Sequence, residues 1–161
     1  MNWREAFLAQ ARSDAAIRVL LDRKGCEYSH QLHYLQMMTE KLAKSLMAPR
    51  NNAPPVKTHA AFVRCLQHIK GRPDLRRRLG YRERSVFRSF IDSLLPLASE
   101  IERLAPNFSG TTQPNPEYPW QPKVDDEVVC PASFSFPVFN PKQTHMIRLV
   151  RLVENLLRIT S

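Results

Sequence analysis

The segment from Tyr28 to Met47, YSHQLHYLQMMTEKLAKSLM, constrains the fold of this chain more than any other part of the sequence. Its apolar and polar residues each recur at steps of three, four or seven positions. Because residues three and four apart share one face of an α-helix, this spacing predicts a helix with an apolar and a polar face. The apolar face contains Tyr28, Leu32, Leu35, Leu42 and Leu46, and the polar face contains Ser29, His33, Gln36, Glu40 and Lys44.

The rest of the chain continues the helical pattern. The sequence has only 4 glycines in 161 residues and no long alternation of apolar and polar residues, so a sheet is not indicated. A content of 43% apolar and 24% charged residues is typical of one globular domain with a sizeable core. We therefore predict a single all-α domain, an up-and-down bundle of four to five helices near 3–24, 28–48, 58–70, 82–104 and 141–160.

Capping residues indicate where several of these helices begin. Asn2 precedes the first helix, and Glu5 follows three residues later, which is the spacing of a capping box. Thr58 is predicted to cap the third helix, and Asn140 with Pro141 to begin the last one. A short arginine-rich turn is expected between the third and fourth helices.

A polar residue falls on the apolar stripe of the first helix. We expect Asp14 to point toward the neighbouring helix, with Lys41 or His33 as its partner, since a buried carboxylate needs one. The alternative is that Asp14 lies at the edge of the interface and reaches water.

Prolines interrupt the last third of the chain. Pro96 should bend or divide the fourth helix, because its ring removes one backbone hydrogen bond. The irregular segment 105–140 contains seven further prolines but also six aromatic residues, which predicts an ordered loop packed on the bundle. Those aromatic anchors are Phe108, Tyr118, Trp120, Phe134, Phe136 and Phe139.

The sequence LHYLQM is followed by TEKLAK, with small and aromatic residues before the pair and small residues after it. This pattern resembles the HEPN domain, a helical family named for nucleotide binding in higher eukaryotes and prokaryotes. The resemblance covers Trp3 to Leu104. It implies a helical bundle, a homodimer, and a place in a toxin–antitoxin or defence system, sometimes beside a nucleotidyltransferase as protein partner.

Many HEPN ribonucleases carry an arginine, four to six intervening residues and a histidine near the start of a late helix. Here Arg64 and His68 have three residues between them, and His145 has no arginine at that spacing before it. The one numerical match, Arg23 to His30, spans the turn after the first helix. We therefore expect no catalysis of this kind, and His59, Arg64 and His68 are kept only as candidates for an atypical ribonuclease site.

Arginines provide the candidate binding site. Between positions 70 and 88 the chain has eight basic residues and two acidic ones, a net charge of +6. Forked guanidinium groups suit phosphate, so the sequence predicts binding of RNA or a nucleotide. The candidate residues are Arg72, Arg76, Arg77, Arg78, Arg82, Arg84 and Arg88. Two alternatives stay open: simple solvation, or pairing with an acidic segment at Asp125–Glu127, within one chain or across a dimer.

Other classes of site are not indicated. Cys26, Cys65 and Cys130 have neither disulfide-framework nor zinc spacing, so we expect reduced thiols, no metal and no cofactor. No glycine-rich phosphate loop occurs. Without an apolar span or signal sequence we expect a cytoplasmic protein. The function predicted is a binding module for a nucleotide, RNA or protein partner; the alternatives are an atypical metal-independent ribonuclease and a purely protein-binding bundle.

Overall fold

The computed structural model describes residues 1–49, 51, 53, 60–105 and 112–160. Within these residues the chain forms six α-helices and no β-sheet, so the predicted all-α fold is confirmed. One isolated antiparallel bridge joins Trp120 to Val129. The helices are α1 (Trp3–Arg23), α2 (Tyr28–Met47), α3 (Phe62–Ile69), α4 (Pro73–Arg78), α5 (Arg84–Arg103) and α6 (Thr144–Ile159), with short 3-10 helices at Pro131–Ser133 and Pro137–Phe139.

Both ends of α1 follow the sequence prediction. Asn2 Oδ1 accepts the amide of Glu5 at 2.9 Å, and Glu5 Oε2 accepts the amide of Asn2 at 2.9 Å, which completes the capping box. At the other end Gly25 adopts a φ of +64°, and the amides of Gly25 and Cys26 donate to carbonyls of the last turn. This Schellman ending turns the chain directly into α2.

Three antiparallel helix pairs can be read from their side-chain contacts. Ser45 Oγ of α2 donates to the Arg4 carbonyl near the start of α1 at 3.0 Å. Glu102 of α5 accepts the Val63 amide of α3 at 2.9 Å. Arg12 of α1 donates to the Leu157 and Thr160 carbonyls at the end of α6, and Arg18, later in α1, pairs with Glu154, earlier in α6.

The helix α2 occupies the centre of the bundle, so its polar face is not a solvent face. Ser29, Gln36 and Glu40 are all buried, because α1, α3 and α5 pack around the helix. Glu40 accepts Lys44 Nζ at 2.6 Å and Gln36 Nε2 at 3.0 Å. Glu40 and Lys44 thus form an i,i+4 ion pair in a largely buried setting.

Asp14 is 4% exposed, and Lys41 is its partner, with Nζ at 2.6 Å from Asp14 Oδ2. Gln10 Nε2 donates to the other carboxylate oxygen at 3.0 Å. The expectation of a buried carboxylate with a partner on the neighbouring helix is confirmed. His33, the other candidate, instead lies 3.6 Å from Glu117 of the long loop.

Two helix starts differ from the prediction. The third helix begins at Phe62, after its N-cap Ala61, rather than near 58. Thr58, the predicted cap, lies outside the described residues. The last helix begins at Thr144 rather than Pro141. Asn140 Oδ1 accepts the Lys142 amide at 2.9 Å, which forms a separate turn before the helix.

The arginine-rich segment differs from expectation, and of the two effects expected of Pro96 the division of the helix is not seen. Instead of a turn, Pro73–Arg78 forms the short helix α4, which begins with a proline and buries Leu75. Pro96 does not divide α5, which runs without interruption from Arg84 to Arg103. Its side chain is exposed, so the ring and the missing hydrogen bond face solvent.

The described part of the long loop packs on the bundle as predicted. Trp120, Phe136 and Phe139 are buried, and Trp120 and Phe136 each contact the partly buried Phe134, with ring centroids 5.0 and 4.9 Å away. The hydroxyl of Tyr28 donates to the Phe139 carbonyl and fastens the loop to α2. Tyr118 is 54% exposed and is not an anchor, and Phe108 lies outside the described residues.

Among the described helices, none combines the length and the apolar character that crossing a bilayer requires.

Candidate functional site

The predicted arginine site lies where α4 meets α5, and we call residues 70–88 the arginine corner. A Schellman turn joins the two helices: Gly80 has a φ of +85°, its amide donates to the Arg77 carbonyl at 2.9 Å, and the Tyr81 amide donates to the Arg76 carbonyl at 3.0 Å. The backbone that carries the arginines is therefore fixed, not an open turn.

Two of the seven arginines hold this corner in place. Arg72 forms a bidentate pair with Asp74, with Nε at 2.9 Å from Oδ1 and Nη2 at 2.7 Å from Oδ2. This hydrogen-bonded pair lowers the pKa of Asp74 to about 2, so the carboxylate stays charged across the neutral range. Arg76 donates to the Arg82 carbonyl and links the end of α4 to the residues before α5.

The other five arginines are exposed and have no acidic partner among the described ion pairs. They lie on three stretches of chain: the end of α4, the connection, and the first turns of α5. Because Arg84 and Arg88 are four residues apart on one helix, they share a face. These five are Arg77, Arg78, Arg82, Arg84 and Arg88.

A small pocket of about 140 Å³ opens within the corner, and its ionisable lining residues are Lys70, Arg72, Arg76 and Arg84. No carboxylate lines this pocket. Lys70 also pairs with Asp92, so part of the positive charge is balanced from outside the pocket. Lys70 was not among the predicted binding residues, although it belongs to the same run of basic residues.

The acidic segment does not neutralise the corner within one chain. Asp125, Asp126 and Glu127 are exposed, and no described ion pair includes them. Intramolecular pairing, one of the two alternatives to anion binding, is thus not observed in the described residues.

The histidine candidates are placed differently from the sequence prediction. His59 lies outside the described residues. Arg64 and His68 are both exposed on α3, but the arginine that meets His68 is Arg72, whose Nη1 lies 3.4 Å from His68 Nε2. The structure therefore joins His68 to the edge of the arginine corner and leaves Arg64 apart from it.

The described residues form no metal site, and the three cysteines differ in exposure. No group of three or more histidine, cysteine, aspartate or glutamate residues there is arranged to hold a metal ion. Burial raises the pKa of the Cys65 thiol to about 12, so this group stays protonated near neutral pH. Cys130 is exposed and Cys26 is partly buried.

Comparisons with protein-family models, with curated proteins and with solved structures found no match. The resemblance to the HEPN family therefore depends on the sequence pattern around LHYLQM and TEKLAK alone.

Proposed function

We propose that this protein is an HEPN-like helical binding module that uses its arginine corner to bind the phosphate groups of RNA or of a nucleotide, without catalysis. The observation that carries the proposal is the set of five exposed arginines that have no acidic partner among the described residues. A role in a toxin–antitoxin or defence system belongs to the same proposal through the HEPN resemblance.

The rigidity of the corner supports binding. Arg72 with Asp74, and Arg76 with the Arg82 carbonyl, fix the relative positions of α4 and α5 before any ligand arrives. A backbone that is already ordered loses less conformational entropy on binding than a flexible turn does, and it holds the forked donors of the exposed arginines near one another. Phosphate contacts carry no sequence information, so the module should accept many RNA sequences.

Salt dependence provides the quantitative test. Each phosphate neutralised on a single strand contributes a slope of about −0.7 to the logarithm of the binding constant against the logarithm of salt concentration. Five free arginines therefore predict a slope of ~−3.5 if all five contact phosphates. Fluorescence anisotropy with a labelled single-stranded RNA of mixed sequence measures this slope directly.

The decisive variant is Arg77→Glu with Arg78→Glu, because these two arginines are exposed and take no part in fixing the corner. RNA and nucleotide binding should be lost and the salt slope should fall. The matched control is Arg23→Glu with Lys24→Glu at the end of α1, which changes net charge equally. Equal loss in both variants would show that only net charge matters. Retention of binding in the corner variant would refute the proposal.

An atypical ribonuclease is the second candidate, and the contact between His68 Nε2 and Arg72 Nη1 at 3.4 Å favours it. A histidine beside a phosphate-binding surface can move a proton to or from a ribose hydroxyl. Incubation of an RNA pool with the protein in EDTA, in parallel with His68→Ala and His59→Ala, tests it. Cleavage lost in a variant would support an enzyme, whereas intact RNA throughout would exclude this activity.

Absence of RNA and nucleotide binding together would leave the third alternative, a purely protein-binding bundle with an acidic partner.

A further inference from the structure

A second cationic surface lies between α5 and α6. It shares Leu79, Tyr81 and Val86 with residues 70–88, but the arginines that line it belong to α6. It is a groove of about 570 Å³, which we call the α5–α6 groove. Its apolar wall includes Tyr81, Val86, Phe90 and Leu152. The rings of Tyr81 and Phe90 stack with centroids 5.2 Å apart, and Val86 is 52% exposed.

The rim of this groove is positively charged. Arg148 and Arg151 line it from α6, and both are exposed. Neither belongs to a described ion pair, and the nearby carboxylate of Glu154 is instead 3.8 Å from Arg18. No acidic residue lines the groove. The surface therefore combines an apolar wall with two arginines, which favours a ligand with apolar side chains next to carboxylates.

The same chain carries a segment of that chemistry. Residues 123–128, which we call the acidic tip, place Asp125, Asp126 and Glu127 between two exposed valines. Val124 is 87% exposed and Val128 is 67% exposed. Exposed valines that flank three carboxylates form a small amphipathic surface rather than a purely solvated loop.

The backbone of the acidic tip is held in a defined shape. Trp120 and Val129 exchange both backbone hydrogen bonds of an antiparallel bridge, at 3.2 and 2.8 Å. The Gln121 side chain donates to the Val124 carbonyl at 2.7 Å and to the Asp126 carbonyl at 2.8 Å. Because Trp120 is itself buried against the bundle, the tip projects from a fixed base. Such a segment loses little entropy when it binds.

We propose that the α5–α6 groove binds the acidic tip of a second copy of this chain. The carboxylates of the tip would pair with Arg148 and Arg151, and the two valines would cover the aromatic wall. The two surfaces complement each other in charge and in apolar character, and within one chain neither is occupied by the other. A reciprocal exchange of tips would close a two-fold dimer.

The proposed interface does not depend on the apolar side chains of the last helix. Most of those side chains, including Met146, Leu149, Val153, Leu156 and Leu157, are buried inside the single bundle and are not available to a partner. The proposed dimer depends instead on exposed arginines, carboxylates and valines and on the partly buried rings of Tyr81 and Phe90.

The test measures molar mass by light scattering and sedimentation velocity at micromolar concentration. The unchanged protein should be a dimer that weakens with salt. Arg148→Glu with Arg151→Glu, and separately Asp125→Arg with Asp126→Arg, should each raise the dimer dissociation constant by roughly a hundredfold, since like charges then face each other. Mixing the two variants should restore a dimer, because opposite charges then meet in both grooves of the mixed pair.

The charge-matched control is Arg23→Glu with Lys24→Glu, which should remain dimeric. Circular dichroism confirms that each variant is folded. A monomeric unchanged protein, a dimer indifferent to both reversals, or a mixture that stays monomeric would each overturn the proposal. Because the arginine corner is intact in all these variants, RNA binding at that site reports on the other proposal separately.

Discussion

Replacing Lys41 with methionine should destabilise the protein strongly, because it leaves the Asp14 carboxylate buried without a cation. Asp14 is 4% exposed, and its oxygens accept Lys41 Nζ at 2.6 Å and Gln10 Nε2 at 3.0 Å. Methionine keeps most of the packing volume of the lysine stem. The substitution therefore removes the charge while changing little else.

The size of the expected loss of stability follows from how far Lys41 and Asp14 are exposed. Removing one member of a fully buried pair costs about 3–5 kcal/mol. The Lys41 side chain is 16% exposed, and Gln10 still donates to Asp14 in the variant, so the lower end applies and we expect ~3 kcal/mol. In a domain of this size that corresponds to a fall in Tm of roughly 6–12 °C. The exposed control Lys24→Met should cost less than about 0.5 kcal/mol.

A double-mutant cycle isolates the pair. The free energy of unfolding would be measured by urea titration with circular dichroism for Lys41→Met, Asp14→Ala and the double variant. The double variant should be more stable than the sum of the single losses predicts, with a coupling of ~1–2 kcal/mol, because neither charge then remains buried alone. A loss for Lys41→Met as small as that for Lys24→Met, or strictly additive losses, would refute the reasoning.

Three further predictions concern single side chains. Burial raises the pKa of Glu102 in the folded protein, so as pH rises this carboxyl ionises first in the unfolded chain. The free energy of unfolding therefore falls as pH rises through the raised pKa. Glu102→Gln should flatten this pH dependence in urea titrations, and an unchanged profile would contradict the prediction. At about pH 8 a thiol reagent should modify native Cys130 quickly and Cys65 only on unfolding, so Cys130→Ser should lose the fast phase. Tyr28→Phe, which removes a hydroxyl that fastens the long loop, should cost about 1 kcal/mol in the same titrations.

The parts of the fold that depend on short-range signals were predictable from sequence. Asn2 and Glu5 cap α1 because their spacing alone decides the two hydrogen bonds. Gly25 ends that helix because glycine adopts a positive φ without strain. The pairing of Asp14 with Lys41 also follows once the two helices are known to be neighbours.

The features of the fold that were not predicted correctly depend on tertiary packing. The burial of the polar face of α2 was not predicted either way, because other elements surround the helix and the period of one segment does not reveal them. The helix α4 is only six residues long, and burial of Leu75 against the bundle supports it where the local sequence suggested a turn. The last helix begins late because Asn140 caps a separate turn instead.

The same distinction explains why the sequence indicates one of the two proposed binding surfaces and not the other. The arginine corner is contiguous in the chain, so its charge is visible as a run of residues. The α5–α6 groove combines Tyr81 and Phe90 with Arg148 and Arg151, which only the folded chain brings together. On α5, Arg84 and Arg88 occupy the face roughly opposite to that of Val86 and Phe90. The corner pocket is lined mainly by cations, so it favours phosphate. The α5–α6 groove has an aromatic wall beside its arginines, so it favours a carboxylate-bearing segment with apolar neighbours. Variants on opposite faces of one helix should therefore remove one binding activity and leave the other intact.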